Sequence, residues 1–235
     1  MDLMYSNCIY REIVEHATSP EMTQEHKALA IMNAAHALLK PRTAFFGGKD
    51  SVSLGPIRIF NTSRTVLIFG GACGDACHVL GRALLTAGLE IRLVQMKVGD
   101  VYGGHIVMEV LIDGRWVVFD PSCNLSFRNP DGSLATFAEI GDNLPYFQIQ
   151  APVIREGNLT FKELRRTNWE KIPIILPAVR MALDWTIGRE AREGISLRAY
   201  LLNSWLNFIV LLSVLYLILV LWSVKLWRSG ALSMD

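Results

Sequence analysis

The chain has 235 residues, 51% hydrophobic and 19% charged, with 23 basic against 22 acidic side chains for a net charge of +1. So even a balance offers no basic field for a phosphate backbone, which argues against nucleic acid as a partner. No charge block, low-complexity tract or solenoid repeat is visible either.

Met1 to Asn7 has neither a basic leader nor an apolar stretch, so no secretory signal is read there. Glu21 to Leu39 reads as a helix, with Leu29, Met32, Ala35 or His36, and Leu39 near one face, ended by Lys40-Pro41. Ile57 to Phe69 holds short strand-like runs that lead into the loop Gly71-Ala72-Cys73-Gly74-Asp75. From Asp75 to Ala87, the residues Ala76, Val79, Leu80, Ala83, Leu84 and Ala87 recur at helical spacing, and Gly88 stops the run. Cys73 therefore stands at a helix start. Unpaired N–H groups and the positive end of the helix dipole favour thiolate over thiol there.

Leu89 to Met96 reads as a strand, and a glycine-bearing loop from Gly99 to Gly104 leads to His105. His105 to Ile112 and Arg115 to Asp120 flank Asp113-Gly114, the strongest short-range hairpin signal. With those two residues as the turn, Ile112 faces Arg115 and Val107 faces Asp120. His105 then shares a face with Asp120 as its diagonal neighbour, roughly 7–8 Å away across the ladder. A slip of one residue would send the two side chains to opposite faces.

Beyond Asp120, Pro121 to Asp142 is rich in turn residues and reads mostly as loop, and Gln148 to Phe161 reads as an edge strand. Ile172 to Thr186, interrupted by Pro173 and Pro177, reads as an interfacial helix or as a helix packed on the core. Ala199 to Val224 is free of charge, and Phe208 to Trp222 is almost wholly apolar, with Trp205, Trp222 and Trp227 near its ends. About 20 such residues cross a bilayer, so a single transmembrane helix is expected over 203–226. The expected organisation is a thiol domain over 1–172 with its core at about 21–125, a juxtamembrane linker over 173–202, the span, and a tail over 227–235. Arginines before the span and Lys225 and Arg228 after it do not set its orientation. The missing signal and four cysteines favour a cytoplasmic domain on a C-terminal anchor.

Gly71-x-Cys73, Leu84-Leu85, Gly88 and Arg92, His105-x-x-x-Glu109, Asp113-Gly114-x-Trp116 and Asp120-Pro121 occur in this order. Together they resemble the core of the transglutaminase-like superfamily, within the wider papain-like group of thiol enzymes. The resemblance spans about residues 21 to 125. It implies an α+β fold in which a helical layer carrying Cys73 lies on an antiparallel sheet carrying His105 and Asp120. It also implies the roles: Cys73 as nucleophile, His105 as base and Asp120 as the group that orients the imidazole. The sequence departs from the family pattern at Ile106 and Val107, where many members have a small residue and then an aromatic. No side chain upstream of Cys73 is assigned to an oxyanion hole.

The expected activity is hydrolysis or acyl transfer at amide bonds of a protein or peptide, without cofactor or metal. Two rivals use the same fold: an idle interaction module at the membrane, and a thiol acyltransferase. Cys77 lies one turn after Cys73, which leaves open a redox pair, or zinc held by Cys73, Cys77, His105 and either Asp120 or Cys123. The spacing lacks the paired short cysteine motifs of zinc sites, and packing beneath the helix is the simplest role for Cys77. Cys8 has no assigned role, while Cys123 borders the site in sequence. His16, His26, His36 and His78 read as ordinary helix or surface residues.

Overall fold

The computed structural model describes residues 2–46, 66, 72–151, 159–170, 175–203 and 205–231. In chain order the elements are α1 (Asp2–Ala17), α2 (Gln24–Phe46), α3 (Cys73–Thr86), β1 (Ile91–Val98), β2 (Val101–Ile112), β3 (Arg115–Asp120) and β4 (Leu125–Ser126). There follow α4 (Phe137–Asp142), α5 (Leu144–Gln150), β5 (Leu159–Arg165), α6 (Ile175–Thr186), α7 (Arg189–Glu193), α8 (Leu197–Asn203) and α9 (Trp205–Ala231). The strands form one antiparallel sheet in the order β4-β3-β2-β1-β5. The α+β expectation holds to that extent.

Both faces of the sheet are covered, and the strand sequences show it. Leu93, Met108 and Phe119 point into one core with Tyr10 of α1, Ile31 and Met32 of α2, and Leu80 and Leu84 of α3. Their neighbours Val94, Val107 and Val118 point the other way, into a second core with Phe127, Phe137, Ile140, Phe147 and Phe161. Adjacent strand residues are thus buried on opposite sides, as the two-residue period of a strand requires when each face has a lid.

The second lid departs from the loop expected over Pro121 to Asp142. Inside it, Thr136 caps α4: its hydroxyl accepts from the Glu139 N–H, and the Glu139 carboxylate accepts from the Thr136 N–H at 2.8 Å. This reciprocal box satisfies two of the donors that a helix start leaves open. Two other boundaries shift. α2 continues through Pro41 to Phe46 instead of ending before it, and the Arg42 guanidinium donates to the Leu38 carbonyl in the turn that proline disturbs. The edge strand β5 begins at Leu159, because Leu144–Gln150 is helical. The strand-like runs expected between Ile57 and Phe69 lie outside the described residues except at Val66, which is buried.

The transmembrane expectation is corrected. Among the described residues no helix is long and apolar enough to cross a membrane. α9 does form over the apolar C-terminal stretch. With no such helix among the described residues, the membrane-anchored form of the fold and the single-pass anchor over 203–226 do not stand.

Candidate active site

Three elements converge on the site. α3 starts at Cys73, with Ala72 extended ahead of it (φ −70°, ψ 133°) and no side chain capping the helix. The N–H groups of Asp75 and Ala76 both turn back to the Ala72 carbonyl, at 3.0 and 3.1 Å. Cys73 and Gly74 are thereby left at the open, donor-rich end of the helix.

β2 and β3 bring the other two residues. Asp113 (φ 49°) and Gly114 (φ 79°) both occupy the left-handed region, the geometry of a type I′ turn, which matches strand twist and fixes register. The pairs run from Ile112 with Arg115 to Met108 with Phe119, so one further step sets Val107 level with Asp120, as the turn predicts. His105 shares that face of β2. Its Nε2 lies 2.7 Å from Asp120 Oδ2, with the histidine side chain 18% and the aspartate 7% exposed.

A bulge beside His105 also positions it. β1 pairs Met96 with His105 but Lys97 with Tyr102, so Gly103 and Gly104 have no counterparts. Gly103 sits at φ 84°, which a side chain would strain. The loop expected over Gly99 to Gly104 is mostly strand, and the extra residues bend β2 just before the imidazole.

Asp120 is held at both oxygens. Oδ1 accepts from the Ser122 N–H at 3.0 Å while Oδ2 faces His105. The turn that follows is tied to α2, where Asn124 Nδ2 donates to Asn33 Oδ1 at 2.9 Å. Neither Ser122 nor the Asn33–Asn124 clamp is singled out by sequence reasoning. Asp120-Pro121-Ser122 does carry a signal for the first, since an aspartate commonly accepts from the N–H two residues on.

The electrostatics couple the thiol to the ring. Burial pushes the Cys73 thiol up, but a hydrogen bond with His105, backbone hydrogen bonds at Ile106 and Gly74, and the His105 charge outweigh it, leaving the thiol below its ordinary value. Burial likewise opposes a charged His105, yet hydrogen bonds to Asp120 and Cys73 and the charges of both push it up to about 10. With Nε2 engaged by Asp120, the ring's other nitrogen, Nδ1, is the one available to the thiol. This arrangement favours a thiolate–imidazolium pair with a carboxylate behind it.

The other thiols differ. Cys77 is fully buried, donates to the Ile106 carbonyl at 3.2 Å, and is pushed well up by burial and by the charges of Asp120 and Cys73. Cys123 is exposed and is pushed up to about 11 by burial, by Asp120 and by Cys73. Among the described residues, no group of three or more His, Cys, Asp and Glu side chains is arranged to hold a metal ion. His78 is buried rather than superficial, and burial lowers it to about 4.

No family model, curated protein or solved structure matches the chain. Its functional reading therefore starts from the geometry of Cys73, His105 and Asp120.

Proposed function

We propose that the chain is a thiol enzyme of transglutaminase-like type, acting on amide bonds of proteins or peptides through an acyl-enzyme on Cys73. The observation that carries this reading is the 2.7 Å contact between the His105 ring and Asp120, with the same ring lowering the Cys73 thiol at the start of α3. A buried histidine with a structural role needs only one satisfied nitrogen. Here the ring that Asp120 holds also lowers a thiol at a helix start, the arrangement that activates a cysteine.

The chemistry follows from these positions. The Cys73 thiolate attacks the carbonyl carbon, and charge gathers on the carbonyl oxygen near the Cys73 N–H, which has no acceptor within its own helix. The His105 imidazolium gives its proton to the leaving nitrogen, and the C–N bond breaks. Neutral His105 then takes a proton from water or an amine, which attacks the thioester and releases Cys73. Asp120 keeps the ring oriented and stabilises its charged form, as the carboxylate does in a Ser-His-Asp triad. Hydrolysis and transfer share every step but the last.

The test is labelling by a peptide that bears a thiol-reactive carbonyl, with the modified residue mapped by mass spectrometry. Cys73 is expected to react ahead of the exposed Cys8 and Cys123, and its labelling to disappear in Cys73→Ala and weaken strongly in His105→Ala. Equal reaction at all three thiols, unaffected by His105→Ala, would count against an activated nucleophile. Turnover of peptides with and without an added primary amine then separates hydrolysis from transfer.

A further inference from the structure

At the β5 edge of the sheet lies a cavity of ≈ 450 Å³ whose lining includes none of Cys73, His105 and Asp120, within the range of small-molecule sites. Twelve residues line it and five are arginines: Arg165, Arg166, Arg180, Arg189 and Arg192. So many guanidiniums around one cavity repel one another unless carboxylates or a ligand offset them.

Three of the five are offset from within. Arg166 makes a two-pronged pair with Glu109, both bonds at 2.6 Å, and Arg192 meets Asp184 at 2.6 Å. Arg189 meets Glu193 at 2.9 Å. Among the described residues the other two meet no carboxylate. Arg165 donates through Nε and Nη2 to the Gln95 side-chain oxygen, a neutral acceptor, at 3.1 and 3.0 Å, and its guanidinium lies 4.6 Å from the centre of the Tyr102 ring. Arg180 makes no ion pair or side-chain hydrogen bond with the described residues. Against these two stands Glu170, an exposed residue on the same wall.

We propose that this cavity binds a small phosphomonoester, its phosphate held by Arg165 and Arg180. A guanidinium presents its donors in a planar fork that fits phosphate oxygens, and two such forks suit a dianion better than a single carboxylate. Gln95 and Tyr102 hold the Arg165 guanidinium in place before any ligand arrives, which reduces the ordering cost of binding. Trp169 and Tyr102, also on the wall, give the organic part of the ligand an aromatic surface. This site is independent of the thiol chemistry, and its failure would leave that reading untouched.

The experiment is calorimetric titration of the full chain with phenyl phosphate, with benzoate as the carboxylate control and inorganic phosphate to isolate the anion. Saturable binding of phenyl phosphate is expected, at least tenfold tighter than benzoate and tighter than inorganic phosphate. Affinity should fall at least tenfold in Arg180→Gln and in Arg165→Gln, with the circular dichroism spectrum and Cys73 labelling rate unchanged. Arg180→Gln alters a helix-surface side chain without a protein partner among the described residues, so it tests the site even if Arg165→Gln perturbs β5. Absence of saturable phosphate binding, equal affinity for benzoate, or full affinity in Arg180→Gln would overturn the proposal.

Discussion

His105 and Glu109 stand four positions apart on one face of β2, and each binds a group of opposite charge at close range, Asp120 at 2.7 Å and Arg166 at 2.6 Å. The two pairs are alike in length but unlike in what surrounds them. Glu109 is 3% exposed and accepts both prongs of the Arg166 guanidinium. His105 is 18% exposed, can lose its proton, and has a depressed thiol on its free side. The strand thus carries a two-pronged carboxylate–guanidinium fastening and an imidazole that shares its charge with a thiol. Proximity of opposite charges alone does not mark an active centre; a titratable member with a reactive third group does.

The largest effects should split the two pairs by observable. His105→Ala is expected to slow acylation by Cys73 by about 10²–10⁴-fold, the usual worth of a positioned acid-base group, while circular dichroism stays native. Arg166→Ala should do the reverse. It takes the two-pronged partner from buried Glu109 and leaves only the charge of its cross-strand neighbour Arg92, at a cost of about 3 kcal/mol in urea unfolding, with the labelling rate of the remaining folded protein unchanged. A large loss of reactivity in Arg166→Ala that exceeds the loss of folded protein would merge the two roles.

A smaller and more diagnostic effect lies in the pH dependence of stability. His105 is raised from 6.5 to about 10, so its contribution is complete below pH 6.5 and is lost as pH climbs from there through about 10. Cys73 is depressed, so its contribution is complete above its ordinary 9.0 and is lost as pH falls through the depressed value. Between the depressed thiol value and 9.0 the folded pair carries one proton, and above 6.5 the unfolded pair also carries one, on sulfur instead of nitrogen. The urea midpoint of the parent is therefore expected to stay nearly flat where these ranges overlap. In Cys73→Ala it should fall with rising pH, because only the histidine titrates; a flat profile in that variant would contradict the coupling. The smallest effect is local. Gly114→Ala should cost about 1 kcal/mol through its positive φ, read as a lower urea midpoint.

Much of the candidate site is legible because its determinants are local. The Ala76-to-Ala87 periodicity sets the start of α3, and Asp113-Gly114 sets a register that carries His105 and Asp120 to one face. What is not legible depends on the rest of the chain. The bulge at Gly103 and Gly104 exists only relative to β1, and the sequence shows two glycines where a loop is the simpler reading. The second lid is hidden in a turn-rich stretch, although Thr136-x-x-Glu139 is a helix-start signature within it. α1 has Tyr10, Ile13, Val14 and Ala17 at helical spacing, packed in or against the first core, and escapes a reading that searches the N-terminus only for a leader. The transmembrane expectation draws on hydropathy over the whole C-terminal run, and among the described residues no helix is long and apolar enough to cross a membrane.

The account rests on the coupling of the Cys73 thiol to the His105 ring, and the pH dependence of Cys73 alkylation tests that coupling most directly. A small neutral haloacetamide, with modification at Cys73 followed by mass spectrometry from about pH 4 to about 10 to bracket the ordinary histidine and thiol ranges, gives the thiolate titration in the parent and in His105→Ala. The predicted result is a midpoint below the ordinary thiol value of 9.0 in the parent and a rise toward or above that value in His105→Ala, where burial is no longer opposed by the imidazole. A parent midpoint at or above 9.0, or one that His105→Ala leaves in place, would contradict it.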